Sequence, residues 1–181
     1  MKLNVILIIA ASMVAATCQD KTSDTSLTSP DGEINVSFSL SQEGIPHYLV
    51  SAYGQAVINS SELGLEAAEA ELAKGFTIKE IHRSSKDEQW EQPWGENKVM
   101  RDNHREMAVE MANGQGVKLT LRFKAFDDGV GYRYEYDATA VTDSLTIIGD
   151  HTYFNFAQDG MSWSIGSYFS GYELPYREQA I

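Results

Sequence analysis

Tryptophan beside carboxylate is the most conspicuous chemistry in this sequence. Asp87-Glu88-Gln89-Trp90-Glu91-Gln92-Pro93-Trp94-Gly95-Glu96 places two indoles in a polar stretch that also holds a proline and a glycine. A flat indole can stack on the apolar face of a pyranose ring, and neighbouring carboxylates can accept hydrogen bonds from its hydroxyls. The same composition predicts a loop, whose indoles either cap the core or face a ligand. Arg101, His104 and Arg105 follow. They can pair with those acids as surface ion pairs, contributing at most about 1 kcal/mol each.

Other reactive signatures are missing from the sequence. It contains no G-x-S-x-G, no H-E-x-x-H and no C-x-x-C. His47, His82, His104 and His151 are scattered, and read as surface or hydrogen-bonded histidines rather than metal ligands. Asp127-Asp128 could be paired carboxylates for glycosidic chemistry. They precede Gly129, however, where aspartate favours a turn through local backbone hydrogen bonds. No catalytic residue and no metal ligand is assigned from these patterns.

The chain has 181 residues, 43% of them apolar, and a formal charge of −12. That is enough for one domain with a real core. So acidic a surface disfavours nucleic acid and suits neutral partners such as sugars. Residues 1–18 read as an export signal: Lys2 precedes an apolar run from Leu3 to Val14, followed by Ala15 and Ala16. The run is short for a membrane span. Cys18 is the only cysteine, so no internal disulfide can form. Its setting, Val14-Ala15-Ala16-Thr17-Cys18, is similar to a bacterial lipobox, although Ala15 and Thr17 depart from the usual residues. Two readings stand: lipidation of Cys18, or plain cleavage near Ala16. A lipid would be the only membrane attachment.

Polar residues 19–28 are expected to form a flexible tether, with the folded domain over 29–181. It opens on the turn Ser29-Pro30-Asp31-Gly32, and Ile34, Val36, Phe38 and Leu40 then alternate with polar residues as in a half-buried strand. Tyr48 and Val50 continue the pattern. Ala67 to Lys74 is rich in Ala and Glu and predicts a short helix or a surface excursion. Phe76, Ile78 and Ile81 predict a strand, as do residues 97–111, Val117 to Phe123 and Val130 to Tyr136. Short strands are expected around Leu145 to Ile148 and Tyr153 to Phe156. Many strands with frequent turns argue for an antiparallel β-sandwich. Trp163, Tyr168, Phe169, Tyr172 and Tyr176 form a second aromatic cluster, interrupted by glycines, that is expected to pack on something outside the sequence.

An ordered set of segments resembles the N-terminal region of glycoside hydrolase family 97. The set is Ser29-Pro30-Asp31-Gly32, Leu63-Gly64-Leu65, the Asp87 to Glu96 stretch, Phe126-Asp127-Asp128-Gly129-Val130-Gly131-Tyr132-Arg133-Tyr134, and His151-Thr152-Tyr153-Phe154-Asn155-Phe156. The resemblance implies a galactose-mutarotase-like β-supersandwich, incomplete at its C-terminal end, that precedes a (β/α)₈ barrel in bacterial α-glucosidases or α-galactosidases. It implies α-linked oligosaccharides as substrates, inverting or retaining, and a periplasmic or outer-membrane location. It also implies calcium near the active site, with its ligands and the catalytic carboxylates beyond Ile181. Within this sequence, Trp90, Trp94, Glu96 and Arg101 are then the candidate substrate-binding residues facing the cleft. The alternative is a stand-alone, non-catalytic carbohydrate-binding lipoprotein of the cell envelope.

Overall fold

The computed structural model describes residues 24–136, 144–166, 171 and 174–181. Among them every regular element is a strand, and every pairing is antiparallel. The first sheet joins β1 (Ser26–Thr28), β2 (Ile34–Leu40), β3 (Pro46–Ala52) and β4 (Gln55–Glu62) in chain order. The alternation in β2 does what its period demands: Ile34, Val36 and Phe38 are buried, while the residues between them are only partly so. The entry turn is held from inside. Ser29 is buried; its hydroxyl donates to Asp31 and accepts from the Ile34 amide. Gly32 supplies the positive φ of 89° that the turn requires.

The second sheet is the larger. It has β7 (Phe76–Glu91), β8 (Val99–Asn113), β9 (Lys118–Phe126) and β10 (Gly129–Tyr136), again each beside its predecessor. Met107, Val109 and Met111 of β8 and Leu119, Leu121 and Phe123 of β9 point inward and meet Val36, Phe38 and Tyr48 of the first sheet. Phe123 sits at the middle of an aromatic run, 6.0 Å from Phe38 and 6.0 Å from Tyr132, with Tyr48 5.4 Å from Tyr132. The fold is thus a mainly β, antiparallel sandwich, with its core between the two sheets. At one edge Gly44 (φ 72°) lies so close to β7 that a Cβ there would fall 2.4 Å from the Phe76 amide nitrogen.

The β7–β8 ladder outruns the sheet. β9 pairs with β8 from Ala112 back to Arg105, whereas β7 stays paired through Glu91 and Val99. Val99 to His104 and Lys86 to Glu91 therefore form a two-stranded ribbon past the last β9 partner, about 20 Å long at about 3.3 Å per residue.

Four expectations need correction. Ser26–Thr28 is β1, not tether, because it adds an edge to β2. Ala67 to Lys74 forms no helix: β5 (Leu65–Ala67) and β6 (Glu71–Leu72) make a hairpin, with β11 (Ile147–Asp150) on its other side. Full burial of Leu72 and the two bonds that Glu69 accepts from Thr146 outweigh helix preferences of tenths of a kcal/mol per residue. Asp87 to Glu96 is only half loop, since β7 continues through Glu91. Finally, Tyr153 to Phe156 makes one bridge, Phe156 to Ile58, rather than a strand. Its backbone follows β4 irregularly, through Tyr153 N–H to Glu62 O and Asn59 N–H to Asn155 O. A last hairpin pairs β12 (Met161–Ser164) with β13 (Arg177–Ala180). Residues 1–18 with Cys18, and Tyr168, Phe169 and Tyr172, lie outside the described residues.

Phe123→Ala should lower unfolding free energy by about 3–5 kcal/mol, since it empties the centre of the inter-sheet core. Urea denaturation followed by tryptophan fluorescence measures this.

Candidate functional site

The four candidate substrate-binding residues all lie on the β7–β8 ribbon or its tip. Trp90 is on β7 opposite Met100 and about half exposed. Trp94 is in the connection and 83% exposed. That connection is short and pinned: the Gln92 amide donates to Lys98 O and the Gln92 side chain to Asn97 O, while Gly95 takes a φ of 111°. Glu96 is exposed at the same tip. Arg101 is on β8 opposite Gln89 and grips Asp87 with two hydrogen bonds of 2.8 Å.

The ladder register decides which of these can act together. Directly paired residues share a face, and neighbours along a strand alternate. Trp90 and Met100 therefore face one side of the ribbon, Gln89 and Arg101 the other. The structure does not gather Trp90 and Arg101 into one subsite. The Trp90 side also carries Lys86, Glu88, Asp102 and His104. His104 is buried against Phe126, and its Nδ1 lies 2.5 Å from Asp102 Oδ1. Lys86 bridges Glu88 at 2.9 Å and Asp102 at 3.3 Å. The bond to His104, followed by Lys86, holds the Asp102 carboxyl below its usual range. On the opposite side, the Arg101 hydrogen bonds do the same for Asp87. The Asp127-Asp128 pair is a turn, as its glycine suggested, and Asp127 accepts from the Asp31 amide.

Sequence reasoning missed the outer face of the larger sheet. Arg122 of β9 is its hub: it donates to both oxygens of Glu135 on β10 and to Glu106 on β8. These bonds, opposed by partial burial and helped by Arg133, hold Glu135 down to about 2. Further along, Glu80 of β7 faces Glu110 of β8 across the ladder, with His82 beside both. Each histidine has a carboxylate neighbour: Glu62 for His47, Glu110 for His82, Asp102 for His104 and Glu66 for His151. The period-two pattern marks such residues as outward-facing, but their partners depend on register.

These features define an antiparallel β-sandwich domain with an aromatic-tipped ribbon, and comparison with known proteins narrows the class. The family described as Glycosyl-hydrolase 97 N-terminal matches residues 27–181. A glycoside hydrolase family 97 enzyme from Pseudoalteromonas sp. strain K8, solved with acarbose, is 34% identical at a TM-score of 0.78, over 85% of this chain and 24% of that one. The same enzyme, as a variant with panose, is 34% identical at a TM-score of 0.77, over 84% and 24%. A beta-arabinopyranosidase shares the fold at a TM-score of 0.74 and 21% identity, over 85% of this chain and 26% of that one. This chain belongs to glycoside hydrolase family 97, and it corresponds to the family's N-terminal domain. It spans about a quarter of the length of the solved enzymes it matches.

Glu135 is ionised in the folded state well below the ordinary carboxylate range near 4.5. Its contribution to stability is therefore fully present above that range and is lost as pH falls towards 2. Glu135→Gln should cost about 1 kcal/mol at neutral pH and flatten the stability loss between pH 4.5 and 2 relative to the parent. Urea unfolding at a series of pH values reads both effects.

Proposed function

We propose that this chain is the N-terminal scaffold and carbohydrate-facing domain of an exported α-glycosidase that hydrolyses α-linked oligosaccharides. The observation that carries the reading is the family match over 27–181, combined with coverage of only 24% of the solved enzyme. The substrate class is supported by the panose and acarbose seen with that enzyme. The chemistry would be glycosidic hydrolysis: one carboxylic acid protonates the leaving oxygen, and a second carboxylate activates water or attacks the anomeric carbon. Both would lie on a (β/α)₈ barrel beyond Ile181, together with the ligands of the calcium that the family resemblance implies. Glu80, His82 and Glu110 are the only group of three such donors within one ion's reach among the described residues. One imidazole and two carboxylates do not make the six-to-eight-oxygen shell that calcium takes. No residue here is therefore assigned to calcium.

Surface chemistry supports a partner in the same polypeptide. Ile147, Ile148, Tyr153, Phe154, Phe156, Met161, Trp163, Leu174 and Tyr176 are all substantially exposed, with Trp163 at 65% and Tyr176 at 66%. So many exposed large apolar side chains favour a contact surface over a solvated one. In this reading the barrel and the rest of the sandwich cover it, and the ribbon tip with Trp94 and Glu96 reaches towards the cleft. Trp90 and Arg101, on opposite faces, would meet different neighbours. Export through residues 1–18, with either lipidation of Cys18 or simple cleavage, would place the enzyme in the periplasm or on the outer membrane. The second reading, a stand-alone carbohydrate-binding lipoprotein, rests on the exposed Trp94 alone.

Sequencing the gene past the Ile181 codon separates the two. An open frame encoding a barrel is expected, whereas a stop codon would remove the enzyme reading. The ligand surface is tested by titrating panose against the protein and following tryptophan fluorescence. Trp94→Ala, at a site 83% exposed, should leave folding intact and weaken binding about tenfold through loss of a stacked ring. Unchanged affinity in the folded variant would remove Trp94 from the site.

A further inference from the structure

The acids of the β7–β8 ladder each sit against a lysine or arginine, with one facing pair excepted. Glu106 and Glu135 are held by Arg122, Glu88 and Asp102 by Lys86, Asp87 by Arg101 and Glu91 by Lys98 on or around the β7–β8 ladder. Glu80 and Glu110 are direct cross-strand partners, yet among the described residues neither has a lysine or arginine at ion-pairing distance. Lys79 and Lys118 line the same hollow as Glu110 without closing on it. Like charges directly opposite in a ladder repel. The side chain that closes on both at ion-pairing distance is His82.

What these three residues present is a converging donor set. His82 Nε2 lies 3.0 Å from Glu110 Oε1 and 3.7 Å from Glu80 Oε2, and the donor atoms all fall within 4.8 Å of one another. An ion about 2.0–2.1 Å from each of three such ligands needs donors roughly 3–4 Å apart. All three side chains rise from one rigid ladder and are about half exposed, which leaves room for water as a fourth ligand. A mixed imidazole and carboxylate set favours zinc and its neighbours over calcium or magnesium. We propose that Glu80, His82 and Glu110 form a zinc-class divalent-cation site that clips the edge strand β7 to β8. The ion would neutralise the facing glutamates and brace the ladder from which the tryptophan ribbon extends.

The test is a zinc titration of the tag-free full chain in competition with a chromophoric chelator, alongside thermal melts with and without zinc. One zinc per chain at micromolar affinity is expected, with a rise in melting temperature. His82→Ala should weaken binding about tenfold or more and abolish that rise. His151→Ala, which removes a histidine with a single carboxylate neighbour, should change neither. If His82→Ala lowers the melting temperature of the metal-free protein, Glu110→Gln, which keeps the size and removes the charge, replaces it with the same expected loss. Binding no stronger than about millimolar, or equal binding by the His82 and His151 variants, would overturn the proposal.

Discussion

The register between β7 and β8 is the constraint on which the surface of this domain depends. The two strands run together from Phe76–Asn113 to Glu91–Val99, with one irregularity between Ile78 and Glu80. Ile78 faces Met111 in the core and Ile81 faces Val109, so the extra residue, Lys79, is absorbed as a bulge. A ladder without it would pair Glu80 and His82 with the inward-facing Val109 and Met107. The bulge instead turns Ile81 in and sends Glu80, His82, Ser84, Lys86, Glu88 and Trp90 out together. One inserted residue thus determines the side on which Trp90 stands and brings Glu80 opposite Glu110.

Core packing holds the two sheets against each other. Phe38, Phe123, Tyr132 and Tyr48 tie the two sheets through tilted ring contacts, and Tyr48 also donates to the Tyr153 carbonyl at 3.1 Å. The same residues that hold the sandwich shut thereby anchor the start of the irregular aromatic segment along β4. Beyond it, burial fails: Phe154, Phe156 and Trp163 remain about half exposed or more. Among the described residues, the domain is well packed between its two main sheets and exposes apolar side chains from Ile147 onwards.

Much of this was legible in the sequence, and the exceptions have physical reasons. Strict alternation in Ile34 to Leu40 and Val117 to Phe123 identified the strands that supply the core, because burial on one face alone imposes period two. The step from Ile78 to Ile81 broke that period and was the visible trace of the bulge. Ala67 to Lys74 misled because propensity there is weak beside the burial of Leu72. Asp87 to Glu91 read as loop because a ribbon exposed on both faces has no apolar stripe to reveal it. Trp90, Trp94, Glu96 and Arg101 lie close together in sequence, but the division of Trp90 and Arg101 between faces follows only from pairing partners.

An isolated two-stranded ribbon is marginal in water, since it has little apolar surface to bury. Here charge and hydrogen bonding substitute on each face: Asp87 with Arg101 on one, and Lys86, Glu88, Asp102 and the buried His104 on the other. Most of these pairs are exposed and individually weak. His104 differs, because it is buried against Phe126 and so ties the ribbon to the end of β9. The ribbon is therefore packed on the sandwich at its root and held by surface pairs towards Trp94. A half-exposed indole at Trp90 and a nearly free one at Trp94 gain more from a solid neighbour than from water. Packing and exposure point the same way: the root belongs to the sandwich, and the tip presents its indole to the surroundings.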